Sequence, residues 1–272
     1  MIEFIAGNGY KLELFGLKSN PSDGAWPILF IHGNWHDSRC FSEKFAPYFA
    51  ANGFETYALS LRGHGGSEGK EKIRWFSINQ YTQDVLAAAR HIEGKKGIKP
   101  VLAGHSMGGR LAMKAARSYD TPAVVLLASA PPHGISGSVI RNFLRDPMRI
   151  VRVILKRSPW VAIESRALAK GQFFSDDIST QDLDKYYKTL QEESFRAFLE
   201  QLLPVSVNRK IATLVLGAQN DQIISVGEVK KTAAAFRTEA EIFPKMAHNM
   251  QVERGWEKVA DRIICWLKTQ RS

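Results

Sequence analysis

Short apolar runs alternate with amphipathic helical patterns along most of this chain, and this alternation limits the folds that the chain can adopt. A succession of buried strands and amphipathic helices is typical of a parallel sheet covered by helices. The runs predicted as strands lie at 27–31, 54–61, 100–103, 123–128, 211–216 and 240–243. A hairpin over 2–18 that turns at 7–9 adds two strands. The sequence therefore predicts an α/β fold with a mostly parallel, eight-stranded sheet and helices on both faces.

The alternation stops over 134–204, where helical patterns continue without any strand pattern. This segment follows the sixth predicted strand. We therefore expect a core domain formed by 1–133 and 205–272, into which a helical cap, 134–204, is inserted.

Several core helices are predicted from apolar spacing and from their ends. Phe41, Phe45 and Phe49 recur at every fourth residue and predict a single helix that ends at 52–53. A later helix is predicted to stop at Gly94. The helix over 225–236 begins with a capping box, and the last helix carries a complete apolar face.

Composition excludes several classes of protein. The chain has 272 residues, of which 44% are hydrophobic and 24% charged, close to globular averages. Its longest nearly unbroken apolar stretch, 123–130, is too short to span a bilayer, and no signal peptide is visible. Cys40 and Cys265 are too few for a disulfide framework or a thiolate zinc site. We expect a cytoplasmic protein without metal or cofactor. The net charge of +10 comes without any nucleic-acid-binding motif, so no nucleic-acid partner is expected.

A G-x-S-x-G pattern at 104–108 indicates the chemistry. It lies between a predicted strand and a predicted helix, the context in which such a turn exposes a nucleophilic serine. The turn is so tight that side chains two residues on either side of Ser106 would collide, and Gly104 and Gly108 remove that collision. Ser106 is thereby placed above the carboxyl edge of the sheet, where α/β sheets bind ligands. The pattern predicts a nucleophile.

A serine hydroxyl needs a histidine base that is oriented by an acid. Of seven histidines, His248 follows the last predicted strand and lies at the same edge as Ser106. His32 and His64 lie beside glycines in tight loops and are expected to bond backbone groups there. Asp221 follows the strand at 211–216, while the loop after 123–128 contains no acid. The predicted triad is Ser106, Asp221 and His248.

The oxyanion of the reaction needs two backbone donors. The loop after the third strand, 32–35, is expected to supply one of them, and the residue after the serine supplies the other. We assign these donors to the N–H groups of Asn34 and Met107. Trp35 is the alternative donor to Asn34, although a place in the pocket wall is preferred for it.

These residues resemble the α/β-hydrolase family, in particular its capped esterases and monoglyceride-lipase-like members. The resemblance covers nearly the whole chain. It rests on the motifs FIHG at 30–33, LRGHGGS at 61–67, GHSMGG at 104–109, LGAQND at 216–221 and MAH at 246–248. It implies that 134–204 forms a lid over the active site. Relatives often have glycine where this chain has Lys245. The loop at 32–34 also resembles the halide-binding loop of dehalogenases, but those enzymes, like epoxide hydrolases, use an aspartate nucleophile.

The expected function is hydrolysis of a carboxylic ester with a small or hydrophobic substrate, through an acyl-enzyme. A serine ester suits acyl transfer rather than alkyl transfer, which argues against dehalogenase and epoxide hydrolase activity. The same triad would also serve a thioester, a lactone, an amide or transfer to an alcohol. A non-catalytic receptor on the same scaffold is a third hypothesis. The sequence does not decide the oligomeric state.

A basic stripe runs through the predicted cap. Its members step by three or four residues, so a helix would place them on one face: Arg141, Arg145, Arg149, Arg152 and Lys156. The Asp146-Pro147 pair is expected to start a second helix there. Our preferred interpretation is a lid helix with its apolar side over the pocket and its basic residues in water. The alternative is weak contact with an anionic surface, without stable insertion into a membrane.

Overall fold

An eight-stranded sheet forms the centre of the residues that the computed structural model describes, 1–19 and 25–271. The predicted core also includes 20–24 and 272, which lie outside the described residues. The strands are β1 (Ile2–Gly7), β2 (Tyr10–Leu17), β3 (Ile28–Ile31), β4 (Thr56–Leu59), β5 (Val101–His105), β6 (Ala123–Leu127), β7 (Ala212–Ala218) and β8 (Ala240–Phe243).

The strand order is β1-β2-β4-β3-β5-β6-β7-β8. β2 pairs antiparallel with β1 and with β4, and the remaining neighbours are parallel. The predicted N-terminal hairpin and the mostly parallel sheet are confirmed. Because β3 to β8 run in one direction, the loops that follow them meet at the same edge of the sheet.

Helices cover both faces of the sheet. They are α1 (Arg39–Ser42), α2 (Phe45–Ala51), α3 (Ile78–Lys96), α4 (Met107–Ala115), α5 (Ser136–Arg145), α6 (Pro147–Lys156), α7 (Arg166–Phe173), α8 (Thr180–Tyr187), α9 (Phe195–Glu200), α10 (Val226–Phe236) and α11 (Trp256–Thr269).

Alternate side chains of each strand enter opposite cores, as the pleat of a strand requires. In β3, Leu29 and Ile31 pack with residues of α3, α4 and α10. Ile28 and Phe30 point to the other side, where α2 and α11 cover the sheet. The central strands are therefore buried on both faces, which accounts for the continuous apolar runs in their sequence.

Two predicted helices differ in the structure. The predicted helix through Phe41 and Phe49 is divided into α1 and α2. In a continuous helix the ring of Pro47 would clash with the Glu43 carbonyl, whereas the break places Pro47 in the first turn of α2. The prediction that Gly94 stops α3 is also wrong. α3 continues to Lys96 and ends at Gly97, whose φ of 70° is the left-handed conformation of a C-cap.

The segment 134–204 lies between β6 and β7 and contributes α5 to α9, with no strand in this fully described stretch. Asp146 separates α5 from α6 and caps α6 by accepting a hydrogen bond from the Arg149 N–H at 3.0 Å. The predicted second helix at Asp146-Pro147 is thus confirmed.

The predicted orientation of these two helices is found only in part. Arg145, Arg152 and Lys156 are exposed, as predicted, whereas Arg141 turns toward the body of the protein and pairs with Glu228 at 2.6 Å. The interleaved apolar residues face outward, with Leu144 75% and Leu155 77% exposed. Other apolar residues of these helices, Val139, Ile150 and Val153, line a cavity beside Ser106. Helical spacing alone did not reveal which apolar residues face inward.

Candidate active site

Ser106 occupies a sharp turn between β5 and α4. Its backbone has φ 53° and ψ −121°, a conformation that an L-residue adopts only under constraint. Its N–H donates to the Leu127 carbonyl and its own carbonyl accepts from the Ala130 N–H, both at 3.0 Å. The neighbouring strand β6 and the loop after it therefore hold the turn in its strained shape.

Glycines allow the backbone to close around this serine. A Cβ on Gly104 would lie 2.3 Å from the Gly108 carbonyl carbon, and one on Gly108 would lie 2.1 Å from the Ile31 oxygen. A Cβ on Gly33 would lie 2.7 Å from the Cβ of Ser106. The first two distances explain the G-x-S-x-G spacing. The third places the loop after β3 directly against Ser106.

His248 and Asp221 form a buried pair at the same edge of the sheet. The Nδ1–H of His248 donates to Oδ2 of Asp221 at 2.7 Å, and both side chains are almost completely buried. The other carboxylate oxygen of Asp221 accepts from the N–H groups of Ile223 and Ile224, at 2.7 and 2.9 Å. These bonds fix the carboxylate, and Nε2 of His248 is the nitrogen that remains for a reacting hydroxyl.

The loop of His248 is anchored beside the serine turn. Nε2–H of His105, the residue before Ser106, donates to the His248 carbonyl at 2.9 Å, and the two imidazole rings are 4.7 Å apart. Within the described ranges, no hydrogen bond joins the Ser106 hydroxyl to the His248 ring. Such bonds are often long in ligand-free enzymes and shorten with substrate bound.

Lys245 lies in the turn before His248, at a position where related sequences often have glycine. Its φ is 56°, in the left-handed region that glycine adopts without strain. Its N–H donates to Oε1 of Gln219 at 3.3 Å, which ties this strained position to the loop that follows β7. The turn before His248 therefore forms in this chain with a lysine at the position where glycine is preferred.

In the loop after β3, the N–H groups of Asn34 and Trp35 differ in their hydrogen bonding. The N–H of Trp35 donates to Oε2 of Glu193 at 3.2 Å. Among the described residues the N–H of Asn34 has no acceptor. Met107 is the first residue of α4, so its N–H precedes the hydrogen bonds of that helix. Asn34 and Met107 thus present free donors, whereas Trp35 does not.

Two buried histidines, His32 and His36, hold this loop in place. Nε2 of His32 accepts from the Leu61 N–H, and Nδ1–H of His36 donates to the Asn34 carbonyl at 2.7 Å. Burial lowers the pKa of His32 to about 3 and that of His36 to about 4, and lowers the pKa of His105 as well. These rings are therefore neutral near pH 7 and connect backbone segments. The expected backbone role of His32 is confirmed, as is that of His64, whose Nδ1–H donates to the Arg62 carbonyl.

Glu193 is a site residue that the sequence analysis missed. It belongs to segment 134–204, is fully buried, and accepts hydrogen bonds from the Trp35 N–H and the Tyr81 hydroxyl. It also lies 3.4 Å from Nε2 of His64. It stands next to another glutamate in a polar segment, and this sequence matches no recognisable motif. Its role appears only when the loop of Trp35 is brought against it.

A mainly apolar cavity opens onto Ser106. Asn34 and Trp35 line it from the core, and Trp35 also packs edge-on against Phe173. Most of the wall comes from segment 134–204, including the apolar side chains of Ile135, Val139, Ile150, Val153, Pro159 and Phe198. The described residues contain no cluster of side chains that is suited to hold a metal ion.

The chemistry of these groups suits acyl transfer, and comparison with known proteins identifies the family. A family model described as serine aminopeptidase, S33, matches residues 25–255. The chain belongs to this family, within the α/β-hydrolases. Its fold matches an esterase from Thermogutta terrifontis with a TM-score of 0.76 and 20% identity, over 100% of both chains. An esterase from Exiguobacterium antarcticum matches with a TM-score of 0.75 and 17% identity, over 98% of this chain and 100% of that one.

Sequence relatives among curated proteins are more varied. Epoxide hydrolase 3 of Xenopus tropicalis is 32% identical over 43% of this chain and 29% of its own length. A dihydrolipoyllysine-residue acetyltransferase component of the acetoin cleaving system of Pseudomonas putida is 25% identical over 90% of this chain and 64% of its own length. The chain thus spans less than two thirds of the length of these relatives. The activities in their names differ, so these relatives do not identify a substrate for this chain.

Proposed function

We propose that this serine hydrolase cleaves carboxylic esters of hydrophobic substrates through an acyl-enzyme on Ser106. The observation that carries the proposal is the buried His248–Asp221 pair, anchored beside a strained serine that opens onto an apolar cavity. The three residues follow the chain order of a serine triad, and the His248–Asp221 hydrogen bond is the one that such a triad requires.

In the proposed reaction, the Ser106 hydroxyl attacks the ester carbonyl while Nε2 of His248 takes its proton. The carbonyl oxygen becomes an oxyanion, which the N–H groups of Asn34 and Met107 stabilise. His248 then gives its proton to the leaving alcohol, and the acyl-enzyme remains. A water molecule, deprotonated by His248, releases the acid and restores Ser106. Asp221 holds the imidazole in the required tautomer and stabilises its cation.

The cavity supports a hydrophobic substrate. We propose that segment 134–204 is a cap that supplies most of the wall of the pocket, with Trp35 completing the wall on the core side. Burial of each additional methylene of an acyl or alcohol chain would contribute about 0.8 kcal/mol. Bulky or long-chain esters are therefore expected to be hydrolysed with a higher kcat/KM than acetates.

Other reactions of relatives are less well supported by this site. The epoxide hydrolase chemistry of one relative would require an alkyl-enzyme. Ser106 instead forms an acyl ester, which a water molecule activated by His248 can hydrolyse. Thioester, lactone and amide cleavage and acyl transfer to an alcohol use the same residues, so substrates must separate them. Because the family is described as a serine aminopeptidase, the amide is the most relevant of these alternative substrates.

The test is a kinetic series on p-nitrophenyl esters of increasing acyl length, run beside a thioester, a lactone and a p-nitroanilide. We expect kcat/KM to rise with acyl length and the esters to be preferred to the anilide. Ser106→Ala should lower kcat on the order of 10⁶-fold. Ser138→Ala, which changes another buried serine of the same cavity, is the matched control and should retain activity. Preference for the anilide, or activity in Ser106→Ala, would contradict the proposal.

A further inference from the structure

Helices α5 and α6 divide their surface into three strips. One strip lines the cavity, with Val139 and Asn142 from α5 and Ile150 and Val153 from α6. A second strip carries the basic residues. The third strip, which we name the outer apolar face, consists of Ile140, Phe143, Leu144, Met148, Val151, Ile154 and Leu155. At 100° per residue, the members of each strip lie on one side of each helix.

The outer apolar face is open to solvent. Its members are between 39% and 77% exposed, and Leu144, Met148 and Leu155 are each at least 65% exposed. These seven residues account for half of the exposed large hydrophobic residues in the described part of the chain, although the two helices contain only twenty residues. A contiguous apolar surface of this kind marks an interaction site rather than scattered surface variation.

Positive charge borders this face. Residues 134–170 contain eight basic and two acidic residues, a local excess of six charges. Arg152 is 47% and Lys156 58% exposed at the side chain, and Arg145 and Arg157 are also exposed. The charge of the whole chain has the same sign, +10. An apolar strip with a basic border is the pattern of a helix that lies in the interface of an anionic membrane.

We propose that the outer apolar face docks on an anionic phospholipid bilayer, with α5 and α6 lying in the plane of the interface. The apolar side chains enter the boundary between headgroups and acyl chains, and the basic border contacts lipid phosphates. A second copy of the chain fits less well, because two copies that meet at this face would bring like charges together. None of the helices in the described residues is both long and apolar enough to cross a membrane, so docking would be peripheral.

Docking would place the cavity close to the lipid. The same two helices form part of the cavity wall with their inner strip, so the cavity lies about one helix diameter, ~10 Å, from the docked face. An apolar ester dissolved in the bilayer would then have a short path to Ser106. The docking surface itself does not depend on the proposed reaction, because it involves none of the triad residues.

Vesicle flotation tests the proposal with full-length Ser106→Ala protein, so that binding is measured without turnover. We expect binding to phosphatidylglycerol–phosphatidylcholine vesicles, weaker binding to phosphatidylcholine alone, and weakening by added salt. The combined variant Leu144→Gln, Met148→Gln and Leu155→Gln should bind at least tenfold more weakly. Arg145→Gln with Arg157→Gln should lower affinity for the anionic vesicles about tenfold or more, with little change on neutral vesicles.

The matched control is Ile2→Gln, Trp75→Gln and Leu203→Gln, which changes three residues outside this face that are 58%, 53% and 62% exposed. It should bind like the parent protein. In protein that retains Ser106, both triple variants should hydrolyse a short soluble ester at the parental rate. This result would show that the site is folded. Failure of wild-type protein to bind anionic vesicles at low salt would overturn the proposal. So would unchanged binding of the Leu144 variant, or a dimer that dissociates with this variant while vesicles are not bound.

Discussion

The sheet edge that carries Ser106 and the helices α5 and α6 are built in opposite ways. At the sheet edge, β3, β5 and β6 are buried along their whole length, and α4 buries eight of its nine residues. By contrast, α5 and α6 each bury a single residue, Ser138 and Val153. Polar links such as Arg141–Glu228 attach these helices to the core. Close packing therefore fixes the turn of Ser106, while α5 and α6 are held by fewer contacts and leave an apolar surface exposed.

Among substitutions that keep the Ser106 hydroxyl, the largest effect is expected at the sheet edge from Asp221→Asn. An amide in place of the carboxylate favours the wrong tautomer of His248 and removes the charge that stabilises its cation. We expect kcat to fall on the order of 10⁴-fold with KM little changed. Steady-state kinetics on one ester, with circular dichroism as the folding control, measures this. A loss below about tenfold would show that Asp221 is only a structural turn residue.

A pair of leucine substitutions tests the packing difference directly. Leu111 of α4 is fully buried, so Leu111→Ala should lower the free energy of unfolding by about 2–5 kcal/mol. Leu144 of α5 is 75% exposed, and Leu144→Ala should change it by no more than about 0.5 kcal/mol. Urea unfolding of both variants provides the comparison. Equal losses would mean that the outer apolar face is buried in solution.

Glu193 links segment 134–204 to the loop after β3, and its contribution to the free energy of unfolding should depend on pH. Burial alone would raise the pKa of Glu193, but His64 lowers it, and the charge of Glu193 in turn raises the pKa of His64 against the effect of burial. The stabilisation from protonated His64 is complete below the usual pKa of histidine and is lost as pH rises through its raised value. Glu193→Gln should therefore lower the free energy of unfolding by about 1–3 kcal/mol near pH 6 and by less at pH 9. A loss independent of pH would show that the charge pair does not form.

Much of the core could be predicted from the sequence because its signals are local. Gly104, Gly108 and the strand–turn–helix pattern around Ser106 define the turn by sterics within a few residues. Two core helices were predicted incorrectly. Pro47 interrupts the single helix that the spacing of Phe41 to Phe49 predicts, and α3 continues past Gly94 to end at Gly97.

Segment 134–204 was harder to predict because some of its partners are distant in sequence. Arg141 of α5 turns toward Glu228 of α10, whereas Arg145, Arg152 and Lys156 remain exposed. The role of Glu193 depends on a backbone N–H at Trp35. Helical spacing identifies the strips of an amphipathic helix, but tertiary contacts decide which strip is buried.

The central claim is that Ser106 is a nucleophile activated by His248 and Asp221, and covalent labelling tests it most directly. A fluorophosphonate probe, followed by digestion and mass spectrometry, should modify the wild-type protein once, at Ser106. Labelling should be absent in Ser106→Ala and much slower in Asp221→Asn, while Ser138→Ala should be labelled like the wild type. Absence of label from folded wild-type protein, or label on a different serine, would contradict the assignment.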